Sequence, residues 1–192
     1  MAERAKRVLL ALIVAALSFV SSPARADKAA VLELLKQPGV HAIMRHAIAP
    51  GTGDPATFRL DDCSTQRNLD SRGRDQARAI GKALNAAGIV FDRILTSQWC
   101  RCRETAELLD LGMPVDFPAL NSFFQDRSTA DEQTEEVRVF LNALPESQRV
   151  LLVTHQVNIT ALTGRGVASG EVFIVKSNED GEIDVVGEFL LR

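Results

Sequence analysis

The sequence predicts an α/β fold with a mostly parallel central sheet, and two observations carry this. Short apolar runs of strand length alternate with segments of helical periodicity, the arrangement that gives parallel pairing through right-handed crossovers. Two of those runs, Val40-His41-Ala42-Ile43-Met44-Arg45 and Val150-Leu151-Leu152-Val153-Thr154, end on a histidine, His46 and His155. Open parallel sheets bind their ligands at the carboxyl ends of strands, so two of the chain's three histidines arrive where ligands are held. A length of 192 residues suits one domain with a real core.

Composition narrows the function classes. At 46% hydrophobic and 24% charged the chain is neither disordered nor fibrous. A net charge of -3 argues against nucleic-acid binding, which goes with a strongly basic balance. Any cationic site is therefore local, set against a mildly acidic background.

In chain order, residues 1–26 read as a cleaved signal peptide. Arg4, Lys6 and Arg7 precede an apolar run from Val8 to Val20, and Ala24-Arg25-Ala26 is an A-x-A exit. The run is short of the roughly 20 residues that a membrane span needs, so cleavage after Ala26 is expected. Residues 27–192 then form the domain, placed in an exported compartment such as a periplasm, with no membrane span after cleavage. Export makes a disulfide credible. Cys63, Cys100 and Cys102 allow one bridge with a thiol left over, Cys63 pairing with Cys100 or Cys102. The C-x-C spacing lacks the further ligands of a zinc site.

A short amphipathic helix is expected at residues 29–35, closed by Gln37-Pro38-Gly39. The first strand follows, then a loop from Ala47 to Gln66 rich in Gly, Pro and Asp, long enough to be functional. Its Gly51-Thr52-Gly53 is not a nucleotide P-loop, because no G-K-[ST] follows. Asp70-Ser71 caps a helix to about Ala87, with Ala77, Ile80, Ala83, Leu84 and Ala87 on one face and Gly88 beyond it. A strand at residues 93–96 runs into Ser97, and a helix at residues 100–109 stops before Gly112 and Pro114. Residues 118–127 are irregular, a helix spans about 131–144, and the strand at 150–154 leads to a short helix at 157–162. Strands at 171–175 and 184–190 close the chain around the hairpin turn Asn178-Glu179-Asp180-Gly181.

Three separated motifs resemble those of the histidine phosphatase superfamily, which shares its fold with cofactor-dependent phosphoglycerate mutases. Arg45-His46-Ala47 resembles R-H-G/A. Residues 97–106, with Ser97, Arg101, Thr105 and Ala106, resemble the S-x-x-x-R-x-x-x-T-A element. Val153-Thr154-His155 resembles the strand-terminal second histidine. Gln66-Arg67-Asn68-Leu69-Asp70-Ser71-Arg72-Gly73 resembles the L-[TS]-x-x-G segment that opens the first long helix. The resemblance covers nearly all of residues 27–192 and implies a three-layer α/β/α sandwich, phosphoglycerate mutase-like. It also implies a metal-independent phosphatase of the histidine acid type, with no cofactor, acting on a small phosphorylated substrate.

By the same resemblance, His46 is the nucleophile and carries a phosphohistidine intermediate. Arg45 and Arg101 offer planar forks matched to phosphate, and His155 adds a donor when protonated. Gln156 stands where another branch of the superfamily carries an acid, and is expected to contact substrate. A general acid should protonate the leaving group; Asp126 is the first choice, with Glu132, Glu135 and Glu136 as alternatives. His41 reads as structural, and Trp99, Phe123 and Phe124 as core. The span from Ala106 to Val150 is too short for a large lid, which favours an open site over mutase activity. The expected reaction is hydrolysis of a phosphomonoester, such as a phosphorylated envelope sugar. Alternatives are a phosphohistidine or phosphoprotein phosphatase, or an inactive phosphate-binding module.

Overall fold

The computed structural model describes residues 28–191, and the expected signal peptide at 1–26 lies outside the described residues. A single six-stranded sheet forms the middle layer. Its strands are β1 (Val40–Arg45), β2 (Arg93–Thr96), β3 (Pro114–Asp116), β4 (Val150–Thr154), β5 (Val172–Ser177) and β6 (Ile183–Phe189), in the spatial order β3-β2-β4-β1-β5-β6. β1, β2, β3 and β4 pair in parallel, and β5 pairs antiparallel with both β1 and β6. The sheet is thus mostly parallel, as the alternation requires.

Both faces of the sheet are covered, which explains the unbroken apolar runs of β1 and β4. Side chains alternate between the faces. Ala42, Met44, Leu151 and Val153 pack with α1 (Lys28–Leu34), α2 (Ser71–Ala86) and α3 (Cys100–Leu108). Ile43, Val150, Leu152 and Phe173 pack with α4 (Ala130–Asn142) and α5 (Gln156–Thr163) on the other side. The result is the expected three-layer sandwich. Among the described residues, no helix is long and apolar enough to cross a membrane.

α2 begins as its sequence demands. The Asp70 carboxylate accepts from the Gly73 amide at 2.8 Å, satisfying one of the free N–H groups of the first turn. Gly73 has to be glycine for a different reason: a Cβ there would lie 2.0 Å from the Ile48 carbonyl oxygen. The helix therefore presses directly on the loop that follows β1. At the other end of the sheet, β3 is an addition to the expected pattern. Pro114 reads as a helix stop, yet it opens a three-residue edge strand parallel to β2, where the missing proline N–H costs least.

Of the two candidate pairings, Cys63 bonds to Cys100, 37 positions further along the sequence, and Cys102 is a buried free thiol. The bridge ties the turn at Cys63–Thr65 to the first residue of α3. Gln66 reinforces it by accepting the Cys100 amide on Oε1 at 3.0 Å. Reduction of this bridge, or Cys63→Ser, is expected to lower unfolding stability by about 2–4 kcal/mol, measured by denaturant titration with and without reductant. Cys102→Ser should leave the reductant effect in place; a reductant-insensitive midpoint in the unaltered protein would contradict the bridge.

Candidate active site

The strand ladders continue one residue beyond β1 and β2 and fix the residues found there. The His46 amide donates to the Thr154 carbonyl at 2.9 Å, and the Ser97 amide to the Val153 carbonyl at 3.0 Å. His46 and Ser97 are therefore held by the sheet itself, and His155 directly follows β4. Thr105, one turn beyond Arg101 in α3, joins helix to strand end. Its hydroxyl donates to the Arg101 carbonyl at 2.6 Å and accepts the Ala47 amide at 3.1 Å. This is the physical reason for a threonine four residues after the arginine.

Arg45, His46, Arg101, His155 and Gln156 converge on one cavity of about 110 Å³. Arg45 ends β1 and His46 follows it, His155 follows β4, Gln156 opens α5, and Arg101 lies in the first turn of α3. The His46 and His155 rings lie edge to face with centroids 5.5 Å apart. His46 is 1% exposed, and its Nδ1 lies 2.8 Å from the Ala47 carbonyl. A carbonyl only accepts, so Nδ1 carries the proton and Nε2 keeps its lone pair. Burial first, and then the Arg101 charge, push the His46 pKa well below its ordinary value, so the ring is neutral.

His155 is also neutral, where a protonated donor was expected. Arg101 Nη2 faces its Nδ1 at 3.3 Å and can only donate, which leaves the proton on Nε2. That Nε2–H donates to Ser97 Oγ at 2.8 Å, and Ser97 in turn donates to Asn121 Oδ1 at 3.2 Å. Burial, followed by the Arg101 charge, lowers the His155 pKa well below the ordinary range. His155 occupies the cap position of α5 without a side-chain capping bond, its ring being engaged with Arg101 and Ser97 instead.

Two functional residues escape a reading of the sequence. Arg67 lines the cavity, with Nε donating to the Gly53 carbonyl at 2.8 Å. Burial, and then Arg101, pull its pKa down to about 10. Asp54 also lines the cavity and forms a buried ion pair with Arg101 at 2.8 Å, the two side chains being 4% and 3% exposed. Its second oxygen accepts from Trp99 Nε1 at 3.1 Å. Burial pushes the Asp54 carboxyl up, but the hydrogen bond and charge of Arg101, helped by the Arg67 amide and Trp99, outweigh it and hold the pKa below the ordinary value. The one available signal was their setting: Asp54 lies within, and Arg67 directly after, a loop rich in turn residues that follows the first strand.

Asp126 does not reach this site. Its carboxylate accepts from the Ser128 amide at 2.9 Å and caps the short turn Arg127–Thr129. That bond keeps its pKa low, so it is an exposed, ionised cap instead of a proton donor. Glu132, Glu135 and Glu136 are exposed on α4 and do not line the cavity. Gln156 does line it. Trp99 is core, as expected, and yet braces Asp54. Phe123 is buried, whereas Phe124 is 46% exposed and lines the cavity mouth with Gln125, so only half of that pair is core. His41 is buried in β1, as a structural residue would be.

Charge inside the cavity is out of proportion to the chain. Arg45, Arg67 and Arg101 set three guanidiniums against the single carboxylate of Asp54, with both histidines neutral. Among the described residues, Arg45 Nε and Arg101 Nε are buried donors with no acceptor. Buried donors of this kind are rare without a reason, and an oxyanion would satisfy them.

An α/β protein built around a cationic, histidine-bearing cavity at parallel strand ends is the class these features define. Within that class the resemblance to the histidine phosphatase superfamily stands in sequence and in fold: residues 42–123 match the family model described as histidine phosphatase superfamily (branch 1). No curated protein matches the chain in sequence. Among solved structures, the fold is similar to the protein histidine phosphatase SixA complexed with tungstate, at 18% identity and a TM-score of 0.57, over 79% of this chain and 96% of that one. It is similar to the product of open reading frame Rv3214 of Mycobacterium tuberculosis, at 16% identity and a TM-score of 0.60, over 79% and 97%. Alpha-ribazole phosphatase from Shigella flexneri is similar at 16% identity and a TM-score of 0.54, over 79% and 95%.

Two buried neutral histidines make stability depend on pH. Below the ordinary histidine value of about 6.5 the unfolded chain binds protons that the folded site refuses, so stability is full above that value and falls as pH drops towards the lowered folded-state values. The loss approaches about 1.4 kcal/mol per pH unit for each such histidine. A lower urea midpoint at pH 5.5 than at pH 7.5 is expected. An unchanged or higher midpoint at pH 5.5 would mean that the histidines are charged in the folded protein.

Proposed function

We propose that this protein is an exported phosphatase that hydrolyses phosphomonoesters through a phosphohistidine on His46. The observation that carries the reading is His46 itself, with Nδ1 tied to the Ala47 carbonyl and Nε2 unprotonated, in a cavity shared with three arginines. A nucleophile of this kind needs a neutral attacking nitrogen and a fixed ring, and the sheet supplies both.

Charge follows the same logic. A phosphomonoester dianion brings two negative charges, and three guanidiniums against one carboxylate leave two positive charges to meet them. Arg45 and Arg101, with Arg67, hold the non-bridging oxygens in a site preorganised before substrate arrives. His155 sits against Arg101 at 3.3 Å and gains a donor proton once the dianion offsets the neighbouring arginines. Gln156 lines the same cavity. The span between α3 and β4 supplies Ser122, Phe124 and Gln125 to the mouth and contains no large lid, which suits hydrolysis better than mutase chemistry.

Export is supported by the signal-like residues 1–26 and by the Cys63–Cys100 bridge, since disulfides persist in oxidising compartments. In that setting a phosphorylated envelope sugar is a fitting substrate. The competing reading, removal of phosphate from phosphohistidine on a protein, takes its support from the name of the SixA neighbour, and the disulfide weighs against it.

The test is hydrolysis of 4-nitrophenyl phosphate by residues 27–192, against the His46→Ala variant. Activity that falls to background in the variant, with folding retained, is the expected outcome. Equal rates in the two proteins would reject His46 as nucleophile.

A further inference from the structure

We propose that Asp54 is the group that protonates the leaving oxygen, a role that rests on the phosphatase reading above. Among the described residues lining the cavity it is the one carboxylate, and its side chain is shielded from water, 4% exposed. Its two oxygens are unequally loaded. Oδ1 accepts from Arg101 Nη1 at 2.8 Å and from the Arg67 amide at 3.0 Å, whereas Oδ2 accepts only from Trp99 Nε1 at 3.1 Å. A carboxylate oxygen has two acceptor positions, so Oδ2 can take a proton while all three hydrogen bonds stay in place.

Position favours the same residue. Through its side chain Asp54 touches Arg101 on the buried floor, and through its carbonyl it accepts from Gln125 Nε2 at 3.1 Å on the exposed rim. A substrate with its phosphoryl group on the floor and its alcohol at the mouth would carry its bridging oxygen past Asp54.

Arg101 and its other donors outweigh burial and keep Asp54 ionised in this arrangement. A phosphoryl group seated on Arg101 and Arg67 claims the same cations, and burial then favours the neutral acid. The substrate can bring the proton, since the second ionisation of a phosphomonoester lies near pH 6 and its monoanion carries one. His46 Nε2 then bonds to phosphorus as the bond from phosphorus to the leaving oxygen breaks, and the Asp54 proton passes to that oxygen, which departs as the alcohol. In the second step water attacks phosphorus and Asp54 takes one of its protons. The phosphorus–nitrogen bond breaks, its electron pair returns to His46, and inorganic phosphate leaves.

The rival role for Asp54 is a brace that only holds Arg101, and leaving-group dependence separates the two. Benzyl phosphate and 4-nitrophenyl phosphate are similar in size, but only the first loses an alkoxide that needs a proton. With Asp54→Asn, kcat/KM should fall about 10²- to 10⁴-fold on benzyl phosphate and less than about tenfold on 4-nitrophenyl phosphate, the range of a general acid. Equal losses on both would reduce Asp54 to a brace and overturn the proposal. If the variant does not fold, substituted phenyl phosphates and the unaltered protein decide the matter: a kcat/KM nearly independent of leaving-group acidity supports a working acid, and a steep decline with poorer leaving groups overturns it. Failure of the phosphatase reading looks different, because His46→Ala would then match the unaltered protein on both substrates.

Discussion

The site depends on one buried ion pair. Arg45, Arg67 and Arg101 share a cavity of about 110 Å³, and burial, followed by the Arg101 charge, depresses the pKa of the two other arginines and of both histidines. Such an assembly is costly to bury without an internal counter-charge, and Asp54 is that charge. Removing one member of a buried pair costs on the order of 3–5 kcal/mol because its partner is left uncompensated. The pair also joins two parts of the chain, the loop after β1 and the start of α3. Trp99 and the Cys63–Cys100 bridge clamp the same junction. The stabilising network and the cavity wall are therefore the same residues.

The sheet does the complementary work. Ladder hydrogen bonds past the ends of β1 and β2 place His46 and Ser97 with the precision of a strand, and Thr105 locks α3 against the first of them. Substrate-binding donors held on regular elements need little rearrangement at the moment of reaction. The outer wall is of another kind. Ser122, Phe124 and Gln125 come from an irregular, half-exposed stretch, the sort of segment on which specificity can vary while the floor stays fixed.

Much of this was legible beforehand because it followed from period and from strand ends. The runs at 40–44 and 150–153 are apolar apart from His41 since both faces are buried, and the polar residues that end them could only emerge at the sheet edge. Hence Arg45, His46 and His155 were readable, and Arg101 through its spacing from Ser97 and Thr105. What was hidden lies where periodicity carries no information. Asp54 and Arg67 belong to a loop, and loop residues meet through turns that sequence spacing does not encode. Asp126 failed for the matching reason: an Asp before Arg127-Ser128 caps a turn, and a local bond to the Ser128 amide outcompetes any distant role. β3 was missed because three residues that begin with Pro114, none of them buried, leave no pattern to detect.

A neutral, ring-fixed histidine amid guanidiniums is the claim on which the rest turns, and covalent trapping probes it most directly. The protein would be mixed with 4-nitrophenyl phosphate, quenched in base within milliseconds and digested for mass spectrometry. One phosphoryl group on the peptide bearing His46, stable in base and lost in acid, is the predicted result. A phosphoryl group on a serine or threonine, or turnover with no phosphorylated peptide at any quench time, would contradict the account.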